Sequence, residues 1–200
     1  MKVAILVLAL ATVAFTAPQQ RKVFHEHFDD FMDVIGQEAG EELEQLMQEY
    51  LQHEEFRTSV DYIQTNNFKD IVYEMESLPE FQAVVDFLEK DNIDIIFFLD
   101  RINEMLESFS TTTRQQARVK DMTSFINDSI DLFPKDKLAA LFDQKMAEDD
   151  EFKVTMENLQ SDEWKQTFGA LWESETFKQE VDTLAQYGIN IGALLDEIMA

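Results

Sequence analysis

Phe81-Gln82-Ala83-Val84-Val85-Asp86-Phe87-Leu88 is written again, 96 residues later, as Phe177-Lys178-Gln179-Glu180-Val181-Asp182-Thr183-Leu184. Ile93-Asp94-Ile95 returns as Ile189-Asn190-Ile191, and Leu99-Asp100-Arg101-Ile102 as Leu195-Asp196-Glu197-Ile198. Upstream, Glu55-Phe56-Arg57 matches Glu151-Phe152-Lys153, and Phe68-Lys69 matches Trp164-Lys165. Residues 51–104 pair with 147–200 without a gap, and thirteen of the 54 pairs are identical. Composition alone supplies about three or four. The chain is therefore read as two copies of one unit, because missing a repeat misreads the fold. Upstream of Leu51 the match weakens. Phe31-Met32 pairs best with Phe125-Ile126 at a spacing of 94, which puts a two-residue length difference in a turn around Gly36 and Pro134.

Both copies read as helical. Apolar residues recur at three and four positions: Leu43, Leu46, Met47, Tyr50 and Leu51 form one stripe, and Phe68, Ile71, Val72 and Met75 another. Leu184, Ile191, Leu194, Leu195 and Ile198 continue the pattern, and strand-like alternation is absent. Six short helices are expected in each copy: 24–35, 40–53, 56–64, 67–76, 79–90 and 93–109, then 113–128, 134–147, 151–159, 163–172, 174–187 and 189–199. Ser77-Leu78-Pro79-Glu80 reads as a capping box. The aligned Asn66 and Asp162 read as N-caps, and the aligned Asn92 and Gly188 as left-handed helix ends. Ser110-Thr111-Thr112 is the expected junction. Short amphipathic helices cannot close a core alone, so the two copies are expected to form one all-α, pseudo-two-fold domain.

Residues 1–17 stand outside this pattern. Met1-Lys2 is a short basic start, an apolar run follows, and small residues lead to Ala17. That is the layout of a secretory signal peptide, and the run is too short to span a membrane. The expected organisation is a leader over 1–17 and one helical domain over 18–200, with copies at about 18–109 and 110–200. Cysteine is absent, which excludes thiol catalysis and cysteine-ligated metals and leaves stability to packing. Seventeen Phe, nine Met and two Trp supply the material. The net charge of −25 repels nucleic acid and anionic membranes and keeps an apolar-rich chain soluble.

The residues make no case for an enzyme. His25 and His27 are two apart, on opposite faces of a helix, so they cannot chelate one metal together. With His53, they read as surface groups. Asp86/Asp182 and Asp100/Asp196 recur in both copies, and helix capping explains that better than acid–base chemistry. No phosphate loop or nucleophile elbow appears, and no cofactor or metal is expected. Phe and Met are adaptable linings for apolar ligands. The residues expected inside, as core or as cavity lining, are Phe68, Val72, Met75, Phe87, Ile95, Phe98 and Leu99, with Trp164, Phe168, Leu171, Leu184, Ile191, Leu194 and Leu195.

The pattern Phe81…Val85-Asp86-x-Leu88…Ile93-x-Ile95…Leu99…Ile102 and its copy resemble the insect allergen-related repeat family. That family includes the group 1 cockroach allergens, mosquito midgut proteins and larval nitrile-specifier proteins. The resemblance covers the whole mature chain and lies in apolar positions rather than in a catalytic signature. It implies a twelve-helix capsule with an apolar interior for fatty acids or phospholipids, and secretion into the midgut lumen. The expected function is a non-enzymatic carrier of apolar small molecules without stable membrane insertion. The alternatives are nitrile-specifier-like detoxification and a structural role at the peritrophic matrix.

Overall fold

The computed structural model describes residues 23–108 and 122–193. The expected leader and the expected junction at 110–112 lie outside the described residues. Among the described residues there are ten helices and no strand. The first copy supplies α1 (Phe24–Tyr50), α2 (Glu54–Ile63), α3 (Asn66–Ser77), α4 (Pro79–Lys90) and α5 (Ile95–Ser108). The second supplies α6 (Met122–Leu132), α7 (Lys135–Glu148), α8 (Asp150–Asn158), α9 (Asp162–Glu173) and α10 (Glu175–Ala185), and residues 191–193 begin another helix. No described helix is long and apolar enough to cross a membrane.

The start of α2, α3, α4 and α5 each recurs 96 residues later, at α8, α9, α10 and residue 191. The turn residues recur with them. Asn92 and Gly188 both take positive φ, 61° and 79°, as their residue types suggest. In each turn the next residue, Ile93 or Ile189, donates its amide back to Leu88 or Leu184.

Three expectations about local structure are corrected. The expected helices 24–35 and 40–53 are one 27-residue helix, α1, running through Gly36 and Gly40. Each glycine costs about 1 kcal/mol against alanine, and both are tolerated because the flanking Ile35 and Ala39 are buried. The N-caps of α3 and α9 are Thr65 and Ser161, one residue before those expected. Their hydroxyls accept from the amides of Phe68 and Trp164 at 3.2 and 3.1 Å. Ser77 makes no capping box; its hydroxyl donates to the Glu74 carbonyl, and Pro79 opens α4 by its fixed φ.

The spacing upstream of α2 is 98, not 94. The His25 amide donates to the Asp94 carboxylate at 3.0 Å, and Thr123 Oγ1 accepts from the Asn190 amide at 2.8 Å. His25 and Thr123 differ by 98, and Asp94 and Asn190 by 96. At that spacing Gly36 stands opposite Pro134, which separates α6 from α7. The length difference falls between α1 and α2, where Leu51-Gln52-His53 corresponds to the single residue Asp149 between α7 and α8.

Contacts between the copies are reciprocal. α4 packs on α9, and α3 packs on α10. Ser59 Oγ donates to the Tyr187 carbonyl at 2.8 Å, and its counterpart Thr155 donates to the Asp91 carbonyl at 3.0 Å. The four helices α3, α4, α9 and α10 carry most of the core, with Ile71, Met75, Val84, Phe87, Leu171, Phe177, Val181 and Leu184 buried on one another. Burial at about 25 cal/mol per Å² is what holds this cysteine-free chain together.

Candidate ligand-binding face

The residues expected inside divide into three groups. Met75, Phe87, Leu171 and Leu184 are buried members of the core, and Phe68, Ile95, Trp164 and Ile191 pack against it half-buried. Val72, Phe98, Leu99 and Phe168 are half-buried and outside that cluster. Phe168 stacks between Trp164 and Trp172, at 5.4 and 6.3 Å between ring centres. Leu194 and Leu195 lie outside the described residues. Four residues therefore act as ordinary core, and the rest grade outward from it.

Phe98 leads to an apolar face that the core does not cover. Its ring sits edge-on to Phe24 at 6.5 Å and to Phe28 at 5.3 Å, joining α5 to α1. Phe24, Phe28 and Met32 follow one another at four-residue steps along α1, so they form a ridge. Phe98, Ile102 and Met105 share one side of α5. Phe28, Met32, Ile102 and Met105 keep between 42% and 46% of their surface in water. Singly exposed apolar residues are ordinary, but a row of them on each of two helices that meet at Phe98 is a surface open to an apolar partner. His25 tethers one end of this face through its ring and amide to Asp94, and the same ring stacks on Phe97 at 4.1 Å. Phe28, Met32, Ile102 and Met105 were absent from the residues expected inside. The signal for Phe28 and Met32 was available in their four-residue spacing from Phe24.

A polar cluster lies on the other side of α1. His27, read as a surface group, is buried. Its ring packs on Phe152 at 4.9 Å, its Nδ1 accepts from the Lys145 ammonium at 3.0 Å, and its Nε2 lies 3.4 Å from the Asp149 carboxylate. The buried Lys145 also pairs with Asp30 at 2.5 Å and lies 5.7 Å from the Phe31 ring. The cluster ties α1 of the first copy to α7 and α8 of the second. Beside it, a cleft of about 120 Å³ is lined by Val23, Phe24, His27, Asn92, Glu151, Phe152 and Thr155. That is below the roughly 300–1,000 Å³ of a small-molecule pocket.

Among the described residues the recurrent acids are not caps. Asp86, Asp100 and Asp182 stand exposed inside helices on the solvent side, and none of them has a side-chain hydrogen bond among the described residues. Asp196 is outside the described residues. Elsewhere burial pushes the Tyr62 phenol up, helped by the Tyr187 ring stacked on it at 3.6 Å. The Glu180 carboxyl is raised by burial and by the charge of Glu74. Hydrogen bonds from Lys69 and Tyr73 lower the exposed Glu107 carboxyl.

A relative from Anopheles gambiae, Protein G12, is 24% identical over 205 residues, covering 98% of this chain and 96% of that protein. The family model described as "Insect allergen related repeat, nitrile-specifier detoxification" matches residues 23–195. With that match over most of its length, the chain belongs to the insect allergen-related repeat family.

Proposed function

We propose that this protein is a secreted, non-enzymatic carrier of apolar molecules, fatty acids or phospholipids, working in the insect gut lumen. The observation that carries the reading is the uncovered face formed by Phe28 and Met32 of α1 and Phe98, Ile102 and Met105 of α5. Burial of an acyl chain there contributes about 0.8 kcal/mol per methylene. The signal-like residues 1–17 support export, and the charge of −25 supports solubility of a chain with so much apolar surface. Both helices belong to the first copy, so this site lies outside the core that the two copies share.

Native mass spectrometry of protein secreted from insect cells tests this. Adducts with the masses of fatty acids or phospholipids are expected, and they should be removed by solvent extraction. Protein that emerges bare and takes up nothing from excess oleate overturns the reading.

The description of the family also favours a second reading, diversion of a reactive plant product. Product analysis of glucosinolate breakdown with and without the protein separates the two. An unchanged product distribution removes the second.

A further inference from the structure

We propose that Asn127 is the acceptor of an N-linked glycan, attached during export and carried on the outer side of α6. This rests on the export part of the reading above and not on the cargo. Of the seven asparagines in the chain, only Asn127 is followed by a residue other than proline and then by Ser or Thr, in Asn127-Asp128-Ser129. The fold gives this amide no other task. Asn127 is half-buried in α6. Its Oδ1 is buried without a hydrogen-bond partner, whereas its Nδ2 donates to no described residue and reaches water. An amide kept for a structural bond would have that oxygen satisfied. The neighbouring surface of α6 faces solvent, since Asp128 and Asp131, one and four positions on, are exposed. So is Asp29, which stands at the equivalent place in the first copy at the spacing of 98.

The chemistry uses both ends of the triplet. An oligosaccharide moves from a lipid pyrophosphate donor to Nδ2. The bond from the sugar's anomeric carbon to the pyrophosphate oxygen breaks, a C–N bond forms, the amide gives up one proton, and the lipid pyrophosphate leaves. The Ser129 hydroxyl is the second group by which the transferase recognises the site. In the folded chain that hydroxyl donates to the Phe125 carbonyl at 2.7 Å, so transfer belongs to the extended chain, before α6 forms. The product then has to fit the fold, and Nδ2 at the solvent edge of α6 lets it. This place is remote from the apolar face. Phe125 of α6 packs on Tyr50 at 5.3 Å, and Tyr50 lies 22 residues beyond Phe28, about 33 Å along the axis of α1. A glycan at Asn127 adds a bulky polar group to the second copy and stands away from the surface between α1 and α5.

The test takes the full chain with its own leader, secreted from insect cells, and measures intact mass before and after a peptide-N-glycosidase that accepts core-fucosylated glycans, in heavy-oxygen water. The wild type should lose the mass of one oligosaccharide, and peptide mapping should find the labelled aspartate left by the enzyme at position 127. Asn127→Gln and Ser129→Ala should each be secreted without the glycan, and Ser129→Thr should keep it. Mapping on the wild type decides the matter even where a variant fails to fold. Secreted wild type of bare mass, or a glycan that persists in Asn127→Gln, overturns the proposal and leaves export standing. A wild type that stays unmodified inside the cells overturns both.

Discussion

Phe56 and Phe152 occupy the same place in the two copies, yet they meet different rings. Phe56 packs on Phe125 at 5.0 Å, and Phe152 packs on His27 at 4.9 Å. His27 and Phe125 are equivalent once the spacing of 98 is used. One copy therefore closes its corner with an apolar ring, the other with a buried imidazole that recruits Lys145, Asp30 and Asp149. Phe56 has no exposed surface, so Phe56→Ala should cost about 3–5 kcal/mol, read by chemical denaturation. The matching Glu55-Phe56 and Glu151-Phe152 were legible in the sequence as a repeated pair. The burial of His27 was not, because its counterpart could be identified only after the spacing upstream of α2 was corrected.

Glu180 gives a pH-dependent prediction at the same scale. Burial raises its carboxyl, so the ionised form costs stability in the folded chain. That cost is present at neutral pH and vanishes as the pH falls to where the carboxyl is protonated in both folded and unfolded states. Glu180→Gln should therefore be slightly more stable than wild type at pH 7, by less than about 0.5 kcal/mol given its partial exposure. The two thermal midpoints should meet below about pH 4. A larger gap in acid than at neutrality would contradict this sign.

At the scale of elements, the clearest difference between the copies is α1 against the pair α6 and α7. Gly36 and Pro134 are equivalent, and only the proline ends a helix. Proline lacks the amide and clashes with the preceding turn, whereas glycine only weakens the helix. Each was readable as a breaker, and the sequence pattern could not rank them, because tertiary burial of Ile35 and Ala39 decides the outcome at Gly36. A Cβ at Gly36 or Gly40 meets nothing within 4 Å. The double variant Gly36→Ala, Gly40→Ala should therefore gain about 1–2 kcal/mol in denaturant unfolding. A loss of stability would mean that α1 needs its two glycines to bend. The caps shifted by one residue for a similar reason. Thr65 and Asn66 are both good capping types, and only the extended backbone at Thr65 and Ser161 selects between them.

At the scale of the whole molecule, duplication explains both the core and the face. The helix starts shared at a spacing of 96, the two left-handed turns and the reciprocal Ser59 and Thr155 bonds follow from residues the copies share or match in kind. That part of the fold was legible because a repeat doubles every signal. The apolar face was less legible. Phe98 stood among the residues expected inside, but Phe28, Met32, Ile102 and Met105 carry the same hydrophobic signature as core residues. Periodicity shows which side of a helix is apolar and is silent on whether another helix covers it. Covering that surface with cargo is the reading on which the carrier proposal stands.

A photoreactive fatty acid with a diazirine near the chain end locates that surface directly. After irradiation and peptide mapping of the full chain, adducts should fall on Phe28 and Met32 of α1 and on Phe98, Ile102 and Met105 of α5, and excess oleate should suppress them. Adducts that concentrate on α7 and α8, or that spread evenly and ignore oleate, would contradict a binding face between α1 and α5.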